Sequence, residues 1–258
     1  MTSAADHQTP RYERIGLGYA RTRREDPRLA ERIHRALGDA RTVVNVGAGA
    51  GSYEPRDRHV IAIEPSDVMA AQRGAELVPA IRASAGELPL RDQSVDAAMA
   101  ILSVHHWDAE QERGVREMRR VARGPVVILT YDAEVSARMW LTADYLPEVA
   151  ELDRRIMPSV DTLAGWLGGS LRVETVEVPD DTPDWTLGSF WAHPERVLDP
   201  VARAATSGFA RMDAAVVDRV VELVRRDLKS GAWGRLHGHL RGLHSFDAGF
   251  RLLISAPG

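Results

Sequence analysis

The sequence contains no cysteine, which removes disulfides, thiolate nucleophiles and cysteine-ligated zinc together. Any chemistry must therefore use oxygen, nitrogen or a bound cofactor. Positive charge is not in excess either. The 33 lysines and arginines stand against 37 aspartates and glutamates, a formal net charge of -4, so no general basic footprint favours nucleic acid as a partner. No uncharged run reaches the length that spans a bilayer. The start, MTSAADHQTPRYER, has no apolar stretch between a basic end and a small-residue cleavage site. The expectation is a cytoplasmic protein without a membrane partner. No internal repeat or low-complexity tract is visible.

What is present is an alternation of short apolar runs with helical sequence. Asp26 is placed to cap a helix that Pro27 enters and Gly38 ends, with Leu29, Ile33 and Leu37 at spacing four as its buried stripe. RTVVNV and HVIAIEP are rich in Val and Ile, and each is followed by turn residues. Apolar on both faces, they suit central parallel strands. Further strands are expected at VDAAMAIL (95–102) and PVVILTY (125–131), with a helix through EQERGVREMRRVA between them. Later, AEVSARMWLTADYL and VDTLAGWLGG read as helical, LRVETVEVP as a half-exposed strand, AAVVDRVVELVRRDLKSG as an amphipathic helix and GFRLLISA as a last strand. The fold class is α/β. The expected organisation is one domain: residues 1–38 as an N-terminal segment and first helix, 40–132 as the sheet core, 133–248 as an insertion with C-terminal helices, and 249–256 as the last strand.

The first apolar run leads into VVNVGAGAGS, with Gly47, Gly49 and Gly51 at every second position. Glycine at a strand end turns tightly, adopts positive φ and lets a ligand approach the backbone, while the next helix offers its N-terminal N–H groups. A dinucleotide fingerprint would place its third glycine where Ser52 stands, which counts against NAD. Glu64, ending HVIAIEP, can accept two hydrogen bonds from the 2′ and 3′ hydroxyls of a ribose lying across the first strand's tip. Ala83-Ser84-Ala85-Gly86-Glu87-Leu88-Pro89 places small residues before a Leu-Pro corner, where an adenine edge could meet the backbone.

As a set, these residues resemble the class I S-adenosylmethionine-dependent methyltransferases of the type 11 kind. VVNVGAGAG looks like their first motif, AIEPS their acidic ribose motif, SAGELPLRDQSVDAAMA their adenine loop and fourth strand, and SVHHWDAEQERGVREMRRVARGPVVIL the segment that follows. The resemblance covers residues 40–131. It implies a Rossmann-like seven-stranded, mostly parallel sheet with an antiparallel last strand and helices on both faces, with the donor across the carboxyl ends of the strands. It also implies that Gly47, Ala48, Gly49 and Gly51 line the methionine and ribose part, Glu64 holds the ribose, Pro65 and Met69 border the adenine, and Ser84, Ala85 and Gly86 meet its edge. Ser103, Val104 and His105 would face the sulfonium. Asn45 stands where many members carry an acid, and Gly86 where many carry a glutamate. Tyr12, Tyr19 and Arg23 fall in a segment that folds over the cofactor as a lid in similar proteins.

Methyl transfer needs a base only when the acceptor must lose a proton. His105-His106-Trp107 follows the fourth strand, and an imidazole suits that task near neutral pH; one histidine capping the strand end and the other packing under Trp107 is the structural alternative. Asp132, ending LTYD, could orient a histidine, assist an amine or cap a helix, and Tyr131 could form a wall. Trp140, Tyr145, Trp166, Trp185, Phe190, Trp191 and Trp233 are divided between core and a pocket for a flat or apolar acceptor. His237-Gly238-His239 with His244 lacks a completing carboxylate pattern apart from Asp247, so no metal is expected. The expectation is methyl transfer from S-adenosylmethionine to oxygen or nitrogen of a small molecule, by a monomer or homodimer that does not bind nucleic acid. Two alternatives stand beside it. One is a donor-binding protein of the same fold that no longer methylates; the other is a NAD-dependent oxidoreductase.

Overall fold

The apolar runs line up as a parallel sheet in which successive residues point to opposite sides. In the computed structural model, which describes residues 24–256, β1 (Thr42–Val46) lies between β2 (His59–Ile63) and β3 (Ala97–Ile101), and β4 (Val126–Tyr131) follows β3, all parallel. Tyr12, Tyr19 and Arg23 lie outside the described residues. Val43, Met99 and Leu129 enter one core, which also holds Ile33 of helix α1 (Pro27–Ala36) and Leu37, its C-cap. Val44, Ala98 and Ile128 enter the other, against Val115 and Met118 of a helix on the opposite face. The side chain of Asp26 accepts from Arg28 N and caps α1, as its position in the sequence requires.

The last strand returns to this sheet. β5 (Ser170–Thr175) is an edge strand, a short ribbon pairs β6 (Val178–Pro179) with β7 (Ser245–Phe246), and β8 (Phe250–Ala256) runs antiparallel to both β4 and β5. The sheet order is β2-β1-β3-β4-β8-β5. It has six strands where seven are expected. Outside β2 only Ile81 pairs: its N–H donates to Ala62 O at 2.8 Å and its carbonyl accepts from Glu64 N at 3.1 Å. The next donor in a parallel ladder falls two residues earlier, at Pro79, which has no N–H.

Helix α2 (Asp67–Ala70) follows β2, and α3 (Gln111–Val121) joins β3 to β4. Beyond β4 come α4 (Ala133–Ser136), a π turn at Leu141–Tyr145, α5 (Pro147–Ile156) and α6 (Val160–Leu167); later α7 (Pro200–Ala204), α8 (Ser207–Ala210) and α9 (Ala214–Lys229) lead towards β8. The long helix expected over AEVSARMWLTADYL is broken. Thr142 Oγ1 donates to Met139 O at 3.0 Å and also to Ser136 O, and the ladder loosens to Leu146 N donating to Leu141 O. No helix among the described residues is long and apolar enough to cross a membrane.

Candidate active site

The chain runs from β1 to β2 on one side and then returns to β3 on the other, so a crevice opens above the carboxyl end of β1. Gly47 and Gly49 form its floor with φ of +70° and +51°. A Cβ on Gly47 would lie 2.7 Å from Ser103 Cβ and 3.1 Å from Trp107 Nε1, so this glycine lets the β1 turn press against the turn after β3. Gly49 N donates to Glu64 Oε2 at 2.8 Å, and Ser66 N donates to Glu64 Oε1 at the same distance. Each carboxylate oxygen keeps a second lone pair for another donor. Glu64, Pro65 and Met69 border the crevice, as do Asn45, Ala48 and Ser103.

Gly51 has a different task. Its φ is +96°, and a Cβ there would stand 2.3 Å from Leu77 Cδ1, so it makes room for packing beneath the turn and does not line the crevice. Beside it runs a polar chain that the motif did not foretell. Asn45 Nδ2 donates to Glu54 Oε1 at 2.9 Å, and Arg73 Nη2 pairs with Glu54 Oε2 at 2.7 Å, with both charged side chains almost fully buried. Arg73 Nη1 also donates to Gly49 O at 3.3 Å, fixing the glycine turn from below. Asn45 Oδ1 is buried and has no hydrogen-bond partner among the described residues. A buried acceptor left open above a glycine floor, with a carboxylate at the end of β2, suits a ligand carrying an amino group and a ribose.

Val104–His106 form a single tight turn after β3, anchored by Ser103 Oγ donating to Val46 O at 2.9 Å. His105 and His106 line the crevice with ring centres 3.9 Å apart. Burial, with a smaller contribution from the Arg211 charge, presses the His105 pKa down to about 3. It is therefore a neutral ring and a weak proton acceptor. Arg211 Nη2 donates to His106 Nδ1 at 2.8 Å. A guanidinium only donates, so Nδ1 carries no proton and a neutral His106 bears its proton on Nε2. Both rings thus stand in the crevice wall, with His106 Nδ1 taken by Arg211.

The remaining expected residues sit apart from the lining. Asp132 Oδ1 accepts from Glu134 N at 2.9 Å and from Val135 N at 3.3 Å, capping α4. Val104 and Ala85 are buried in the second core. Ser84 O accepts from Glu87 N, and Gly86 faces Glu110, whose Oε1 would lie 3.0 Å from an added Cβ. His237 packs near Trp140 and Trp233, with Nε2 3.0 Å from Asp144 Oδ2. Among the described residues no group of three or more His, Asp or Glu is placed to hold a metal ion.

The far side of the crevice comes from sequence-distant segments. Val149 and Asp153 of α5, Leu187, Gly208 of α8 and Phe250 of β8 enclose it. None of the seven aromatic residues singled out after residue 132 lines it. Trp140, Tyr145, Phe190, Trp191 and Trp233 are buried in the first core, and the aromatic walls are Tyr53, Trp107, Tyr131 and Phe250 instead. Tyr131 OH donates to Asp153 Oδ1 at 3.3 Å. Burial raises the Asp153 carboxyl to about 6, partly offset by that hydrogen bond and by Arg211. No motif pointed to Asp153, and the sequence reading placed no helix over the segment that carries it.

The methyltransferase domain family matches residues 44–128. A solved structure from Anabaena variabilis, described as a methyltransferase from an antibiotic biosynthesis pathway, is 31% identical, with 91% of this chain and 99% of that one covered at a TM-score of 0.83. The YcgJ protein of Bacillus subtilis shares the fold at 17% identity and a TM-score of 0.50, over 87% of this chain and all of that one (100%). No protein of curated function matches. The matched segment begins within β1 and ends within β4, so it contains the glycine floor, Glu64 and the histidine turn. The chain belongs to the class I S-adenosylmethionine-dependent methyltransferases.

Proposed function

We propose that this enzyme transfers a methyl group from S-adenosylmethionine to an oxygen or nitrogen of a small molecule, in secondary metabolism. The carrying observation is that one crevice is walled on one side by the glycine floor and Glu64 and on the other by α5, Leu187, Gly208 and Phe250. The donor supplies a methyl group already activated on a sulfonium, so the chain's task is chiefly to orient and to exclude water. Gly47, Ala48 and Gly49 leave the backbone open to the methionine and ribose part, Glu64 accepts from the ribose hydroxyls, and Asn45 Oδ1 receives an amino N–H. Pro65 and Met69 border the adenine, whose edge lies towards residues 84–86. Ser103, His105 and His106 border the reacting centre. Residues 133–248 contribute the acceptor's walls within one domain, and the acceptor is a free small molecule of the cytoplasm. The antibiotic-pathway setting of the Anabaena relative supports the assignment to secondary metabolism.

The test is incubation with S-adenosylmethionine and a panel of small phenols, alcohols and amines, following S-adenosylhomocysteine release and product mass. Turnover confined to hydroxyl or amine acceptors agrees with the proposal. Turnover only on RNA or protein, or at carbon, contradicts it.

A further inference from the structure

Asp153 is 5% exposed and lines the crevice, yet it belongs to no ion pair among the described residues. Its hydrogen bond from Tyr131 OH engages Oδ1 at 3.3 Å. A buried carboxylate with unused lone pairs turned into a cavity is costly unless something donates to it. Around it the hydroxyl residues Ser136, Thr186, Thr206 and Ser207 alternate with apolar walls, Val149, Leu187, Phe250 and the glycines at 188 and 208. These glycines are small for a reason, because a Cβ on Gly188 would stand 2.7 Å from Phe250 Cε2 and one on Gly208 2.9 Å from Leu187 Cδ2. On this side of the crevice Asp153 is the one carboxylate among the described residues. The histidines beside it are occupied otherwise, His105 by burial and His106 by Arg211.

Building on the methyl-transfer reading, we propose that Asp153 receives the acceptor's O–H or N–H and takes its proton, and that the acceptor is a largely apolar molecule that turns this donor group towards Asp153. As the acceptor's oxygen or nitrogen forms its bond to the methyl carbon, the sulfur–methyl bond breaks with its electron pair going to sulfur, and the acceptor's proton passes to the Asp153 carboxylate. Tyr131 is the positioning residue: its hydroxyl holds Oδ1 and leaves Oδ2 for the acceptor. Burial keeps the Asp153 carboxyl at about 6, basic enough to take a proton and still ionised above that pH. The neighbouring elements leave this group to Tyr131 and Arg211. Glu134 pairs with Arg154, Glu148 with Arg219, Asp144 lies against His237 and Tyr145 donates to Asp227.

The probes are 2-naphthol and its methyl ether, 2-methoxynaphthalene, titrated into the protein loaded with S-adenosylhomocysteine. The naphthol should bind roughly tenfold or more tightly than the ether. In its excited state 2-naphthol is a strong acid, so bound probe should show naphtholate emission that fades as pH falls through about 6. D153L should abolish both the preference and the emission. D153N, which keeps shape and one acceptor, should retain a weaker preference without naphtholate emission or pH dependence, and its affinity for S-adenosylhomocysteine should match the wild type. Equal affinities for the two probes, failure of both to bind, or emission that survives D153N overturns the assignment. Loss of S-adenosylhomocysteine binding by the wild type would instead overturn the methyl-transfer reading itself.

Discussion

A methyl group added to Gly47 would meet Ser103 and the Trp107 indole, whereas one added to Gly51 would meet Leu77 and Arg73. Both glycines hold positive φ, but only the first faces the crevice. Gly51→Ala should therefore cost about 1–3 kcal/mol of stability from strain and overpacking, while the folded fraction keeps its affinity for S-adenosylhomocysteine. Gly47→Ala should lower that affinity at least roughly tenfold, since a shift of Ser103 and Trp107 disturbs the floor itself. Thermal unfolding and calorimetric titration of the two variants separate these outcomes. Gly47, Gly49 and Glu64 were legible in the sequence because the strand-turn chemistry that demands them is local. Asp153 was not, since its importance comes from a hydrogen bond with Tyr131, 22 positions away, and from burial that no local pattern reveals. Glu54 was hidden in the same way: its partner Arg73 reaches it only once β2 and α2 are in place.

At the scale of elements, β1 and β3 are held in register at their N-terminal ends by one carboxylate. Asp96 Oδ2 accepts from Thr42 Oγ1 and Thr42 N at 2.9 Å and from Arg41 N at 3.0 Å, while Oδ1 accepts from Arg123 Nη2 at 2.7 Å. The hydrogen bond from Arg123, then those from Thr42, hold the carboxyl well below its ordinary value of 3.8. A depressed folded-state pKa adds stability above the unfolded value and loses it as pH falls through the folded one. Asp96→Asn should lower stability by about 1–3 kcal/mol near neutral pH and flatten the loss on acidification below 3.8, measured by urea unfolding across that range. The strands themselves were readable from paired apolar faces. The seventh strand that the resemblance implied is missing among the described residues because Pro79 withholds one N–H, and the helix expected after β4 is interrupted where Thr142 spends its hydroxyl on helix carbonyls. The indole-rich half misled for a related reason: large aromatic rings fill core and pocket alike, and only packing decides which.

For the whole molecule, a ligand that binds the folded chain alone must stabilise it. S-adenosylhomocysteine at about a hundred times its Kd should add about 2.7 kcal/mol, which for a domain of this size raises Tm by roughly 5–10 °C. NAD should leave Tm unchanged, because Ser52 replaces the fingerprint's third glycine. The most direct measurement is calorimetric titration of the wild type and Glu64→Ala with S-adenosylhomocysteine and, separately, with NAD. The account predicts micromolar binding of the first ligand, weakened at least roughly tenfold when the carboxylate is removed, and no binding of the second. Affinity for NAD alone, or S-adenosylhomocysteine binding indifferent to Glu64, would contradict it.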